Sequence, residues 1–200
     1  MGDLWTIALQ AERPSLEIVR LGLDERIPEI RAMRGVAQDH RWHPEGDVLA
    51  HSLIASDAAV ALLADRSDLP IRREVVVLAA LLHDVGKPAT SQLIDGRWTA
   101  HGHAEHGAVL VGSLGVRLRW STRLSRAVQV LVGTHMAVTS VGGTPSDRAV
   151  RRLAKRLEVA GSTLIEWAVV VEADGAARGE ASVRGRSDPW LRLAGLPTLT

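Results

Sequence analysis

Val75-Val76-Val77-Leu78-Ala79-Ala80-Leu81-Leu82-His83-Asp84 is an almost wholly apolar run that ends in an imidazole beside a carboxylate. Its length and composition predict a helix over 73–84 placed at the centre of a core, since a helix that is apolar all round must be covered all round. Burying His83 and Asp84 unpaired would be costly. Neighbouring helical side chains project about 100° apart, so a divalent cation beside the last turn is within reach of both and offsets their desolvation. The alternative is a His that caps the helix C-terminus and an Asp that starts the following turn.

Working outward, apolar positions recur at helical spacing over 15–22, 26–34, 48–64, 103–114, 122–133, 147–159 and 163–173, which predicts an all-α fold. Boundary chemistry agrees: Ser15 follows Pro14, Gly86 and Pro88 stop the Val75–Leu82 helix, with Gly86 expected where the turn needs a residue free to take positive φ, Ser146 is placed to cap the next-to-last helix, and Thr163 with Glu166 makes a capping box. One β excursion is expected, Gln92-Leu93-Ile94 and Arg97-Trp98-Thr99 joined by Asp95-Gly96, a pair suited to the positive φ values of a tight hairpin turn; it would form a small flap. Gly142-Gly143-Thr144-Pro145 reads as a loop, and Gly185 to Thr200 as an irregular tail over the surface. The 200 residues suit one compact helical-bundle domain, with the motif-bearing part at about 27–180.

Composition narrows the function. With 24 Lys and Arg against 23 Asp and Glu there is no bulk field to imply a polyanion partner, so nucleic-acid contact must be local and no DNA partner is expected. Cysteine is absent, which excludes disulfides, thiolate zinc sites and a Cys nucleophile; any metal is held by His and carboxylates. Six Trp with no Phe or Tyr argue against a broad stacking platform for single strands. The N-terminus carries Asp3, Glu12 and Glu17 where a signal would be basic and then apolar, and no stretch approaches about 18 uninterrupted apolar residues, so a cytoplasmic chain without membrane contact is expected. Oligomeric state is not legible.

Two further polar groups interrupt apolar helices: His51 within Val48-Leu49-Ala50-His51-Ser52-Leu53-Ile54, and Asp174 closing Ala168-Val169-Val170-Val171-Glu172-Ala173-Asp174. A His, then His-Asp, then a distant Asp on a helical bundle resembles the HD phosphohydrolase superfamily, which implies divalent-metal binding by His51, His83, Asp84 and Asp174. The likeness goes further. Gly35 through Val48, containing Trp42-His43-Pro44-Glu45-Gly46-Asp47, then His83-Asp84-Val85-Gly86-Lys87, His101-Gly102-His103-Ala104-Glu105, and Glu172-Ala173-Asp174 with Arg178 are similar to the C-terminal HD domain of bacterial CCA-adding enzymes; a related HD module occurs in bacterial RNA end-repair enzymes. That resemblance implies hydrolysis of 2′,3′-cyclic phosphodiesters and phosphomonoesters on a nucleotide or RNA 3′ end. The nucleotidyltransferase domain that precedes the HD domain in that family is missing from this sequence, so CCA addition is not expected.

The resemblance also marks His103 and His135 as candidate ligands of a second metal, with His106 competing for the place of His103 and with exposed polar side chains or a helix cap as the alternative. Lys87 and Arg178 are candidate phosphate-binding groups, against a solvated loop lysine and a helix-end charge. Asp84 and Lys87 are the candidate catalytic residues: Asp84 or a nearby His would take a proton from water, and Lys87 would neutralise phosphoryl charge. Asp47 is placed to cap the His51 helix and Glu45 to orient a ligand imidazole, with His43 beside it. Arg148, Arg151, Arg152 and Lys155 form a basic face, solvated or facing RNA phosphates. An imidazole-rich set suits Mn, Ni, Co or Fe better than Mg. The alternatives are a 5′-nucleotidase or other nucleotide phosphohydrolase, or a non-catalytic RNA- or protein-binding module with a structural metal.

Overall fold

The computed structural model describes residues 3–64, 66, 68–139 and 144–199. Short helices α1 (Leu4–Gln10), α2 (Pro14–Arg20), α3 (Leu23–Arg26) and α4 (Pro28–Arg31) lead to α5 (Val48–Leu63) and α6 (Arg73–Leu82). After α7 (Lys87–Thr90) come β1 (Gln92–Ile94) and β2 (Arg97–Thr99), then α8 (His103–Arg117), α9 (Thr122–Val132), a 3-10 turn at His135–Val138, α10 (Asp147–Val159), α11 (Leu164–Ala176), a second 3-10 turn at Gly179–Ala181, and α12 (Asp188–Leu193). The fold is all-α apart from the hairpin, whose strands pair antiparallel with Leu93 opposite Trp98, and whose turn residues Asp95 and Gly96 take φ values of 50° and 72°. No helix of the described residues is long and apolar enough to cross a membrane.

Every residue of α6 from Val75 to Leu82 is buried, and the helix packs against α1, α5, α9 and α11. From Leu164 to Gly175, α11 is buried throughout as well. Between these two, α5 presents a stripe of small residues, Ser52, Ala55, Ser56 and Ala59, all buried. Small side chains let its backbone approach both neighbours at interior packing density, which brings the polar residues on three helices toward one point.

Buried charges away from that point are paired. Glu166, fully buried, accepts from Arg72 Nε (2.8 Å) and Nη2 (2.7 Å) and from Ser162 Oγ (2.8 Å), and completes the Thr163 capping box. Glu172 accepts from the backbone of Gly185 (2.7 Å) and Ser187 (2.8 Å) and from Ser187 Oγ (2.6 Å).

Those Glu172 contacts correct the expectation of an irregular tail. Pinned at Gly185 and Ser187, the chain enters α12 and buries Trp190 and Leu191, with Trp190 meeting Trp167 at a ring-centroid distance of 5.2 Å. The expected helix at 26–34 is split, because Pro28 forces Ile27 into an extended conformation (φ −97°, ψ 109°) and α3 ends there. The boundary marked at Pro14-Ser15 is the start of α2, which begins at Pro14, and the Ser15 hydroxyl donates to Asp57 on α5 (2.7 Å). Ser146 and Asp47 do cap α10 and α5, and α8 continues past 114 to Arg117. Gly142 and Gly143 of the expected loop lie outside the described residues.

Candidate metal centre

His51 sits in the first turns of α5. Asp47 caps that helix, accepting from Ala50 N (2.8 Å), and its second oxygen accepts from Gly35 N (2.7 Å), which folds the 35–47 segment back over the helix start. His83 is the C-cap of α6 and Asp84 lies in the turn beyond. His103 is the first residue of α8, His135 follows α9, and Asp174 projects from α11. His51, His83, Asp84, His103, His135 and Asp174 are all buried.

The turn His83-Asp84-Val85-Gly86-Lys87 does not need the left-handed conformation expected at Gly86, whose φ is −82°. Glycine is required there by contact. A Cβ on Gly86 would collide with the His103 carbonyl oxygen and lie 2.7 Å from the Gly107 nitrogen. The first turn of α8 therefore presses directly on the motif turn, and this contact brings His103 beside Asp84.

Two clusters result. In the first, His51 Nε2 lies 3.2 Å from His83 Nε2 and 3.1 Å from Asp174 Oδ1, and His83 Nε2 lies 3.2 Å from Asp84 Oδ2. In the second, His103 Nε2 lies 3.1 Å from His135 Nε2 and 3.3 Å from Asp84 Oδ1. Asp84 thus faces one cluster with each oxygen. His106, the competitor of His103, is exposed.

The hydrogen bonds at the far side of each ring decide what the clusters can hold. His83, His103 and His135 direct Nδ1 at the carbonyls of Ala80 (2.8 Å), Ala100 (2.7 Å) and Val132 (2.7 Å), and a carbonyl only accepts, so Nδ1 carries the proton. Each Nε2 of a neutral ring then turns a lone pair inward. His103 and His135 bring two such lone pairs together beside a carboxylate, and a cation between them satisfies all three acceptors at once. His51 Nδ1 lies 2.5 Å from Glu45 Oε1, which also lies 2.9 Å from His43 Nδ1, so Glu45 orients both rings.

Charge follows from this packing. Burial opposes ionisation of Asp84 and Asp174, yet the His83 ring and the Lys87 ammonium beside Asp84, and the hydrogen bond from His51 with the nearby His83 and Arg178 at Asp174, hold both carboxyls well below the usual range. Burial pushes His135 down to about 3 and His43 down to about 4. Burial works against charge on His51 too, but its bonds to Asp174 and Glu45 raise it to about 9. A proton therefore occupies His51 in the absence of a cation. Because that pKa is raised from 6.5 to about 9, the proton stabilises the metal-free fold fully below pH 6.5, and this contribution is lost as pH rises through 9. A metal competes for the same nitrogen, so the rise in melting temperature produced by added Mn²⁺ is expected to grow between about pH 6.5 and pH 9. Thermal unfolding with and without Mn²⁺ across that range measures it; a shift independent of pH would contradict the assignment of His51.

Lys87 Nζ lies 2.6 Å from Asp84 Oδ2 and donates to Gln38 Oε1 (2.6 Å), a partner that nothing in the sequence singles out beyond its place in the 35–48 segment. Arg178 Nη2 lies 2.9 and 3.1 Å from the two Asp174 oxygens, and its buried Nε has no hydrogen-bond partner among the described residues. Above the clusters opens a cavity of about 370 Å³ whose wall includes Gln38, Trp42, Lys87, Trp98, Met136 and Arg178.

The HD domain family model matches residues 48–168, from the first residue of α5 into α11, and the chain belongs to that family. Family and clusters together define a domain of the metal-dependent phosphohydrolase class. The chain is similar to proteins named multifunctional CCA protein: 37% identical over 58% of this chain and 27% of the protein from Legionella pneumophila (strain Paris). It is 37% identical over 56% of this chain and 25% of the Janthinobacterium sp. (strain Marseille) protein, and 32% identical over 91% of this chain and 43% of that from Nitrosococcus oceani. The chain thus spans less than half the length of each of these relatives.

Proposed function

We propose that the chain, acting as a single domain, is a two-metal phosphoesterase that opens 2′,3′-cyclic phosphodiesters and removes phosphomonoesters on nucleotides or RNA 3′ ends. The observation that carries the two-metal part is Asp84, whose oxygens face separate clusters: His51, His83 and Asp174 on one side, His103 and His135 on the other. The substrate class is supported by the Trp42-His43-Pro44-Glu45-Gly46-Asp47 segment and by the CCA proteins the chain is similar to.

Divalent ions, for which imidazole-rich sets favour Mn, Fe, Co or Ni over Mg, supply when bound a Lewis acid that acidifies a water and polarises the phosphoryl group. A nearby imidazole or Asp84 would take the proton that water gives up as its oxygen adds to phosphorus. The Lys87 ammonium, held between Asp84 and Gln38, lies where it neutralises charge on a phosphoryl oxygen. Arg178, anchored to Asp174 by one terminal nitrogen, is part of the cavity wall and would bind the phosphate there through its guanidinium. The P–O bond to one ribose oxygen breaks, and that oxygen is reprotonated from solvent at the open mouth. Glu45, between His43 and His51, positions without touching substrate.

Purified chain assayed with Mn²⁺, Ni²⁺, Co²⁺ or Mg²⁺ is expected to hydrolyse 2′,3′-cyclic AMP and to act poorly on deoxynucleoside 5′-monophosphates. Exclusive cleavage of the latter would make it a 5′-nucleotidase, and no cleavage with any metal would leave a non-catalytic module; either outcome overturns the proposal.

A further inference from the structure

Of the basic residues on α10, some are neutralised within the helix. Arg151 lies 4.0 Å from Asp147, and Lys155 lies 3.0 Å from Glu158. Arg152 and Arg156, one turn apart on another face, have no ion pair or hydrogen bond to any described residue. Both line a cavity of about 500 Å³, and Arg156 Nη2 lies 3.6 Å from where a Cβ on Gly133 would stand, against the end of α9 that leads to His135. Ala100, His101, His103 and Met136 line this cavity and also the one above the metal clusters, so the two adjoin along that wall. Among the described residues, Glu105 is the one acid on the wall. Like charges one helical turn apart repel, and two unpaired guanidiniums sharing a concave face are stabilised by an anion between them.

We infer that Arg152 and Arg156 form a second subsite, one that holds the backbone phosphates of a single RNA strand just upstream of the nucleotide whose terminal phosphate enters the metal centre. The inference rests on the phosphoesterase proposal for its orientation, because the wall shared through His101 and His103 carries the strand from one cavity into the other. Guanidinium forks bind phosphodiesters bidentately without reading sequence, so the subsite favours an oligonucleotide over a mononucleotide whatever its bases.

Two measurements on the full chain test it. For the Arg152→Gln/Arg156→Gln double variant, kcat/KM on a short oligoribonucleotide ending in a 2′,3′-cyclic phosphate is expected to fall about tenfold or more, while that on 2′,3′-cyclic AMP stays within about twofold. Independently of any turnover, fluorescence anisotropy of a labelled oligoribonucleotide ending in a 3′-phosphate is expected to give a salt slope shallower by about 0.7 for each phosphate the double variant no longer neutralises. Arg151→Gln removes one positive charge from the same helix and is expected to leave the slope near that of the wild type. If the wild type hydrolyses no cyclic phosphate but shows this binding pattern, the subsite stands and the catalytic proposal falls. If the wild type fails to bind the oligonucleotide, if the double variant binds like the wild type, or if Arg151→Gln weakens binding as much as the double variant, the subsite is overturned.

Discussion

Asp84→Asn is expected to empty the second cluster, weaken the first, and lower phosphoesterase activity by roughly 10³-fold or more. Without the Asp84 carboxylate, the second cluster keeps only the neutral rings of His103 and His135, too few and too weak to hold a divalent ion. The first keeps His51, His83 and Asp174, so metal content is expected to fall to about one ion per chain or fewer. Asparagine has nearly the shape of aspartate, so the circular dichroism spectrum is expected to persist, with a lower melting temperature because Lys87 loses a carboxylate whose ionised form the fold favours. Metal analysis and hydrolysis measured on the same preparation check it. Loss of metal with full activity would assign the metal a structural role only.

Gly86→Ala is expected to damage the centre without touching a ligand. The added methyl meets the backbone of His103 and Gly107, which cannot turn aside as a side chain would. Overpacking of this kind costs about 1–3 kcal/mol, or roughly 3–10 °C in melting temperature for a chain of this size. Relief requires α8 to move off the motif turn, carrying His103 away from Asp84, so metal affinity at the second cluster is expected to fall about 10–100-fold. Gly86→Asn separates the two explanations for this glycine. Asparagine tolerates the left-handed region, so a positive-φ position would accept it, whereas the contact with His103 makes it as harmful as alanine. Melting curves and metal titrations of both variants decide between them.

The helical pattern is legible because the governing runs are long: 73–84 and 163–173 lie almost wholly within α6 and α11, and those two helices create the buried point at which His51, His83, Asp84 and Asp174 meet. Asp95-Gly96 sets the hairpin by local conformation alone. What escapes a reading of the sequence depends on tertiary packing. The six residues of α12 are too few to show a period, and it forms because Glu172, distant in sequence, anchors Gly185 and Ser187. Gly86 reads as a residue needed for backbone freedom because a close approach by α8 leaves no mark in local sequence. Spacing leaves His103 and His106 as rivals; the register of α8 against α9 and the motif turn buries one and exposes the other. The basic residues of α10 look alike in sequence, and only their acidic neighbours and the cavity wall distinguish Arg152 and Arg156 from Arg151 and Lys155.

The central claim is that these imidazoles and carboxylates hold divalent metal, with Asp84 shared between two ions. Elemental analysis of the chain purified without chelator tests it most directly. About two transition-metal ions per chain are expected, filling the two buried clusters that meet at Asp84. A content of zero, unchanged after incubation with Mn²⁺, Ni²⁺ or Co²⁺, would contradict it.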